Sequence, residues 1–105
     1  MNPGEFAHLC RCEQRMWWFR GMRRITDLLL SRYCPAPPGA PVLEAGCGTG
    51  FESARLASQR QWRMFPVDLS AVAACHARSR GLPVANADIL SLPFPEGAFA
   101  GLLSL

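Results

Sequence analysis

The stretch "VLEAGCGTG", from Val42 to Gly50, decides how this chain folds. It opens as a short buried strand and runs at once into a turn in which three glycines alternate with small residues. The segment that follows, "FESARLASQRQ" (Phe51 to Gln61), predicts a helix. A strand that leads into a helix through a glycine-rich turn is typical of an open parallel sheet.

The same succession of strand and helix repeats downstream. "WRMFPVDLS" (Trp62 to Ser70) predicts a second strand that ends at Asp68, and "AVAACHARSR" (Ala71 to Arg80) predicts a helix with Ser70 as its N-cap. Alternating strands and helices require right-handed crossovers, so we expect an α/β fold, a Rossmann-like doubly wound parallel sheet with strand order 3-2-1-4. The remaining predicted elements are a strand over Leu82 to Asp88, a loop over Ile89 to Gly97 and a strand over Ala98 to Leu105.

The chain before the first strand is predicted to be helical. Residues 3–33 predict two helical pieces, and the second, "WWFRGMRRITDLLLSRY", has one apolar face. Four prolines and a glycine in "CPAPPGAP" (Cys34 to Pro41) end the helix and form a stiff connector. We therefore expect a helical segment with its connector over residues 1–41 and the sheet domain over residues 42–105. The predicted apolar face holds Phe19, Met22, Ile25, Leu29 and Tyr33.

Length and charge limit the classes of protein that this chain can be. Its 105 residues, half of them hydrophobic, suffice for one small packed domain. The net charge of +3 arises within residues 1–41, where six arginines face three acids, and we interpret this excess as a solvated helix face rather than a nucleic-acid surface. The apolar runs are far too short to span a membrane.

The cysteines predict free thiols. Their number, five, is odd, and the N-terminal residues lack the apolar segment of a secretory signal, so we expect a cytoplasmic protein. His8, Cys10 and Cys12 allow a metal cluster as an alternative. Residues two apart do not share a helix face, however, and we therefore expect incidental thiols and no metal site.

The residues of the glycine turn indicate which ligand it accepts. The dinucleotide fingerprint G-x-G-x-x-G would place its third glycine at Phe51, so the fingerprint fails here. Glu44 lies two residues before the turn, where a carboxylate repels a pyrophosphate and suits an ammonium group. We therefore expect a nucleoside-like ligand with a positive head and no phosphate, and an NAD-dependent oxidoreductase is the disfavoured alternative.

Acidic residues end three successive strands of the predicted sheet. Asp68 follows Gly50 by eighteen residues, and its carboxylate either accepts hydrogen bonds from two ribose hydroxyls or caps the next helix. Asp88 suits an exocyclic amine, and Ile89 offers a backbone N–H and an apolar wall. Leu69 suits the flat face of a base. Together with Glu44, these acids lie on one rim of one sheet.

At this point the chain resembles the N-terminal part of a class I S-adenosylmethionine-dependent methyltransferase of the small-molecule, type 11 group. "VLEAGCGTG" is similar to the first motif of that family, "VDLS" to its second, and "NADILSLPFPEGAFAGLLSL" to its third and fourth. "MWWFRGMRRI" is similar to a helix that often precedes the domain. The resemblance implies S-adenosylmethionine as cofactor and a small-molecule methyl acceptor.

The resemblance also implies residue roles. The glycine turn would approach the methionine part, Glu44 its amino group, Asp68 the ribose, Leu69 the adenine face, and Asp88 with Ile89 the adenine edge. Ser104 and Leu105 would approach the methyl-donor end. No catalytic base is evident. The implied cofactor-binding set is Glu44, Gly46, Cys47, Gly48, Thr49, Gly50, Asp68, Leu69, Asp88, Ile89 and Ser104.

The sequence departs from the family pattern in three ways. Pro66 stands where glycine is usual, Ala100 stands where aspartate is frequent, and the chain stops at the fourth of seven strands. We therefore expect a truncated chain that carries the cofactor half and is inactive alone. The alternative is a non-catalytic remnant or a binding module, which would pair with another chain through the open edge at Leu102 to Leu105.

Overall fold

The computed structural model describes residues 3–13 and 15–104. Contacts divide the chain into two compact units, Met1–Pro35 and Ala36–Leu105. The first unit contains helices α1 (Pro3–Cys12) and α2 (Trp17–Tyr33). In α2 the buried residues are Thr26 and Leu30, whereas the predicted apolar face is largely exposed at Ile25, Leu29 and Tyr33. The buried stripe of α2 is thus rotated by one residue from the predicted one.

The second unit is a four-stranded parallel sheet with two helices. The strand order is β3-β2-β1-β4, as the alternation of elements predicts, and every paired strand runs parallel to its neighbour. The predicted third and fourth strands are both shorter in the structure, and Leu105 lies outside the described residues. The elements are β1 (Pro41–Ala45), α3 (Phe51–Gln59), β2 (Arg63–Asp68), α4 (Ala71–Ser79), β3 (Ala85–Asn86) and β4 (Gly101–Leu103).

One face of the sheet is packed by the loop between β3 and β4. Leu43, Ala45 and Val67 form the buried centre of this face, since alternate residues of a strand share a side. Phe65, Phe94 and Phe99 pack against this centre as three rings in mutual edge or tilted contact, with centroids 5.0–6.5 Å apart. The loop therefore has its own apolar anchor and covers the sheet without a helix.

Pro66 explains why β3 is so short. The carbonyl of Val67 accepts hydrogen bonds from Gly46 and Cys47 on the β1 side, so the neighbouring position 66 faces β3. A proline there has no N–H to donate to a ladder. Pairing between β2 and β3 begins only after it, at Val67 with Ala85. The strand predicted over residues 82–88 begins later than expected for this reason, and it also ends earlier, at Asn86.

The ends of α4 are well defined, as expected from its sequence. Ser70 is the N-cap, and its hydroxyl oxygen accepts a hydrogen bond from the backbone N–H of Ala73 at 3.2 Å. Gly81 follows the helix with a φ of +82°, the left-handed conformation that ends many helices. Within residues 3–13 and 15–104, no helix is long and apolar enough to cross a membrane.

Candidate functional site

The glycine turn joins β1 to α3 at the carboxyl edge of the sheet. Gly46, Gly48 and Gly50 have φ values of +75°, +54° and +80°, which favour glycine. The backbone N–H groups of Gly46 and Cys47 both donate to the carbonyl of Val67 at 2.9 Å, which fixes the turn to β2. A Cβ built on Gly46 or Gly48 would meet no atom within 4 Å. These two residues therefore leave an open stretch of backbone that a ligand can approach.

Gly50 has a different environment from the other two glycines. A Cβ at this position would lie 2.8 Å from Cβ of Ala77 and 3.3 Å from Leu82. Gly50 therefore brings the start of α3 against α4 and faces away from open space. The sequence pattern does not distinguish this packing role from a ligand-approach role, because both require glycine.

The residue before Gly50 is held from several sides. The Thr49 side chain is buried, and its hydroxyl oxygen accepts a hydrogen bond from the N–H of Phe51 at 3.3 Å. Nε of Arg80 donates to the Thr49 carbonyl at 2.9 Å, and its guanidinium lies 5.6 Å from the centre of the Phe51 ring. Arg80, which sequence reasoning did not single out, thus ties the end of α4 to the glycine turn.

Glu44 is buried beneath the turn, with only 3% of its surface exposed. Its Oε1 accepts a hydrogen bond from Oγ of Ser53 at 2.6 Å. The pKa of Glu44 is raised from 4.5 to about 7, chiefly by burial and to a lesser extent by the negative charges of Glu52 and Asp68, while the Ser53 hydrogen bond opposes the shift. A cationic group that reaches this carboxyl would favour its ionised form.

This raised pKa predicts that stability depends on pH. The folded chain retains the Glu44 proton up to about pH 7, whereas the unfolded chain releases it near 4.5. The contribution is therefore complete below pH 4.5 and is lost as the pH rises to about 7. We expect Glu44 alone to lower the free energy of unfolding by about 2 kcal/mol between pH 5 and pH 7.

Urea unfolding of the wild type and of Glu44→Gln across this pH range measures the effect. Glutamine keeps an acceptor for the Ser53 hydroxyl but has no titrating proton, so the variant should lose this fall in stability. An equal slope in both proteins would show that another group causes the pH dependence.

Cys47 is a buried thiol of low reactivity. Burial raises its pKa to about 12, and the charges of Glu44 and Asp68 act in the same direction. Its Sγ donates weakly to the Gly48 carbonyl at 3.7 Å. The side chain therefore fills space under the turn, and only the backbone of Cys47 is suited to meet a ligand.

The Asp68 carboxylate links two turns at this edge. Its Oδ2 accepts a hydrogen bond from the N–H of Gly48 at 2.9 Å, and its Oδ1 accepts one from the N–H of Ser70 at 2.8 Å. A carboxylate has about four lone-pair positions, so each oxygen retains room for a second donor. Asp68 thus joins the glycine turn to the end of β2 and can still accept from a vicinal diol.

Asn86 holds the backbone at the end of β2. Its Nδ2 donates to the carbonyls of both Asp68 and Leu69 at 2.9 Å. The N–H of Ala87 donates to the Asp68 carbonyl as well, at 3.0 Å. Sequence reasoning missed Asn86, because a lone asparagine near a strand end gives no signal of which carbonyls it will meet.

The remaining predicted residues lie near the end of β3 and on β4. Asp88 is exposed, and its Oδ1 accepts a hydrogen bond from the N–H of Leu90 at 2.9 Å, which shapes the loop after β3. Leu69 and Ile89 are unusually exposed for apolar side chains, at 70% and 57%. Ser104 is exposed beyond β4, and its predicted companion Leu105 lies outside the described residues.

These features fit a nucleoside-like ligand better than a dinucleotide. The open backbone of Gly46 and Gly48 lies next to a carboxylate with spare acceptor capacity. Exposed apolar side chains flank the ends of β2 and β3. A pyrophosphate would meet the acidic side chains of Glu52 and Asp68 beside the turn, with Glu44 buried beneath it. The donors and acceptors thus suit the adenosine and amino-acid parts of S-adenosylmethionine.

The alternative metal cluster in the N-terminal segment finds little support in geometry. Nε2 of His8 and Sγ of Cys12, one helical turn apart on α1, lie 3.5 Å from each other. Among the residues that the structure describes, no three histidine, cysteine or acidic side chains are grouped as metal ligands would be. The five cysteines, all within the described residues, form no disulfide with one another.

Most of this chain is similar to proteins of a known family. Residues 42–105 match the family model described as Methyltransferase domain. A malonyl-[acyl-carrier protein] O-methyltransferase of Herminiimonas arsenicoxydans is 37% identical over 82 residues, which cover 75% of this chain and 31% of that protein. The residues that match the family model include the glycine turn and strands β2 to β4.

Solved structures show the same fold. The [4+2]-cyclase SpnF is 30% identical, with a TM-score of 0.72 over 84% of this chain and 35% of that one. Geranyl diphosphate C-methyltransferase from Streptomyces coelicolor A3(2), solved with S-adenosyl-L-homocysteine, is 21% identical, with a TM-score of 0.69 over 82% of this chain and 36% of that one. The chain thus spans about a third of the length of these relatives.

Proposed function

Because this chain belongs to the class I S-adenosylmethionine-dependent methyltransferases, we propose that it carries the cofactor half of an enzyme that methylates a small-molecule acceptor. The observation that carries the proposal is the Asp68 carboxylate, which accepts from Gly48 at 2.9 Å and borders the open glycine backbone. The group suited to the ribose therefore lies directly beside the backbone suited to the amino acid.

Each part of the cofactor has a complementary group at this edge. Asp68 accepts hydrogen bonds from the ribose hydroxyls, and the exposed side chain of Leu69 packs on the adenine. Asp88 and the backbone of Ile89 bind the adenine edge. The methionine part lies against the backbone of the glycine turn, which runs through Gly46, Cys47, Gly48 and Thr49.

Glu44 and Ser104 complete the proposed set. The buried Glu44 acts on the amino group of the cofactor through water or through a small shift of its side chain, since it lies beneath the turn. Binding of an ammonium there favours loss of the Glu44 proton. Ser104, just beyond β4, lies toward the methyl-donor end.

The chemistry proposed is a displacement at carbon. The bound cofactor supplies a methyl group on a sulfonium, which passes to the acceptor in line and leaves S-adenosylhomocysteine. Such a reaction depends mainly on holding the two reactants in line, and the residues of this chain contribute by orienting the cofactor. We assign no catalytic base. Nothing in the proposed site points to His8 or His76 in that role.

The acceptor we propose is a small organic group. The relative from Herminiimonas arsenicoxydans, named for O-methylation of a malonyl group on a carrier protein, provides the first acceptor to test. The likeness to the [4+2]-cyclase SpnF indicates that this fold also supports other chemistry. Transfer of a labelled methyl group to an acceptor therefore separates methylation from the use of the same site for binding alone.

The outer strand supports a second, non-catalytic proposal. Leu102 on β4 is 65% exposed, and β4 has one neighbour, β1, among the described strands. An apolar strand with an open side suits pairing with another strand. A binding module that associates through this edge is therefore the alternative. Five cysteines without a disulfide suit a reducing compartment, and we propose a cytoplasmic location for either function.

Calorimetric titration with S-adenosylhomocysteine tests the proposed function, with NAD as control and circular dichroism to establish that the protein is folded. We expect saturable binding of S-adenosylhomocysteine and none of NAD, because the site offers acceptors and no pyrophosphate cradle. Binding of NAD alone would overturn the proposal in favour of an oxidoreductase. A folded protein that binds neither ligand would favour the non-catalytic alternative.

A further inference from the structure

The ladder between β2 and β3 is two residue pairs long, yet hydrogen bonds hold the backbone for one residue beyond the end of β2. Pairing ends at Asp68 with Asn86, and Leu69 lies beyond it. Nδ2 of Asn86 has two hydrogens, and both are used, one on the Asp68 carbonyl and one on the Leu69 carbonyl. The Asp68 carbonyl also accepts from the backbone N–H of Ala87, so the bond that the backbone does not supply is the one to the Leu69 carbonyl. The Asn86 side chain thus adds a rung at Leu69 and a second bond at Asp68.

This rung acts on the two residues proposed to meet adenosine. The Asp68 and Leu69 carbonyls belong to consecutive peptide planes, so the two bonds from Asn86 restrain both planes. The Asp68 carboxylate is then directed at Gly48 and Ser70, from whose N–H groups it accepts hydrogen bonds. Leu69 is held with its side chain 70% exposed, against the preference of an apolar residue for burial. Without the Asn86 side chain, the Leu69 carbonyl loses this hydrogen bond and the Asp68 carbonyl keeps the one from Ala87, so the chain can turn at Leu69 and its side chain can fold onto the protein.

We infer that Asn86 is a positioning residue for adenosine: it holds the end of β2 so that Asp68 and Leu69 receive the ribose and the base. The inference rests on the proposed function, since it concerns the same edge. Asn86 acts through these two residues and is not itself assigned a contact with the ligand.

The two ends of the site can be probed separately. S-adenosylhomocysteine carries adenosine and an amino acid, whereas 5′-methylthioadenosine keeps the adenosine and lacks the amino acid. Arg80→Met is the matched control variant. Like the substitution of Asn86, it removes a side-chain donor from a backbone carbonyl, but that carbonyl is Thr49 in the glycine turn. The dissociation constants of both ligands, measured on the protein at full length, reveal which end each side chain serves.

We expect Asn86→Ala to weaken both ligands by roughly tenfold, so that the ratio of the two constants stays that of the wild type. Arg80→Met should instead weaken S-adenosylhomocysteine more than 5′-methylthioadenosine. Asn86→Asp provides a second variant with the same shape. A carboxylate facing two carbonyls has no hydrogen to donate and repels them. At pH 7.5 it should therefore weaken both ligands at least as much as Asn86→Ala does.

Thermal unfolding followed by circular dichroism confirms that each variant is folded at the temperature of the titration. Asn86→Ala binding both ligands within twofold of wild type would overturn the inference and leave the proposed function in place, as would a loss confined to S-adenosylhomocysteine. A folded Asn86→Asp protein that binds both ligands within twofold of wild type at pH 7.5 would also overturn it. Failure of the wild type to bind either ligand would overturn the proposed function and, with it, this inference.

Discussion

Gly50→Ala should lower the free energy of unfolding by about 2–5 kcal/mol. Two costs combine at this position. The φ of +80° is unfavourable for any residue with a Cβ, and that Cβ would lie 2.8 Å from Cβ of Ala77 and 2.9 Å from its Cα. The second atom is backbone, so relief requires α3 and α4 to move apart. Chemical denaturation followed by circular dichroism measures the change.

Gly39→Ala is the matched control for this prediction. Gly39 has almost the same φ, +84°, but a Cβ there would meet nothing within 4 Å. It should therefore cost only the conformational part, about 1 kcal/mol. Equal losses in the two variants would contradict the conclusion that Gly50 is required for the packing of α3 on α4.

Asp68→Ala should weaken the binding of S-adenosylhomocysteine by a factor of about 100 or more. Each hydrogen bond from a ribose hydroxyl to a charged acceptor contributes roughly 1.5–3 kcal/mol, and two are proposed. The substitution also leaves the N–H groups of Gly48 and Ser70 without their acceptor, which loosens both turns. Both effects weaken binding, so titration calorimetry should detect a large loss.

A second acidic residue separates this effect from a general change in charge. Glu96 is exposed in the loop between β3 and β4, and Glu96→Ala removes the same charge. We expect it to leave the affinity within about twofold of wild type, because long-range attraction between exposed groups is screened by salt. Wild-type affinity in a folded Asp68→Ala protein would remove Asp68 from the site.

The fold was largely predictable because its determinants are local. A glycine turn between an apolar run and a helix specifies a strand-helix unit, and repetition of that unit gives the parallel order of the sheet. The length of β3 was not predictable in the same way. It depends on which side of β2 Pro66 faces, and that side is set by pairing with β1, a long-range contact.

The candidate site was partly predictable for the same reason. Asp68 and the glycine turn follow their strands directly, so the sequence alone places them at one edge. The separate role of Gly50 depends on Ala77, twenty-seven residues away, and the role of Asn86 depends on the short ladder. In α2, an apolar stripe in the sequence predicted a buried face, but burial falls on Thr26 and Leu30, because periodicity identifies a face without specifying what covers it.

The central claim is that the carboxyl edge formed by the glycine turn and the ends of β2 and β3 binds S-adenosylmethionine. Amide spectra of the nitrogen-15-labelled protein, recorded during titration with S-adenosylhomocysteine, test it most directly. The account predicts that the largest shifts occur at Gly46, Gly48, Leu69 and Ile89, and that Gly39, before the amino end of β1, is little affected. Saturable shifts confined to other parts of the chain, or no shifts at all in a folded protein, would contradict it.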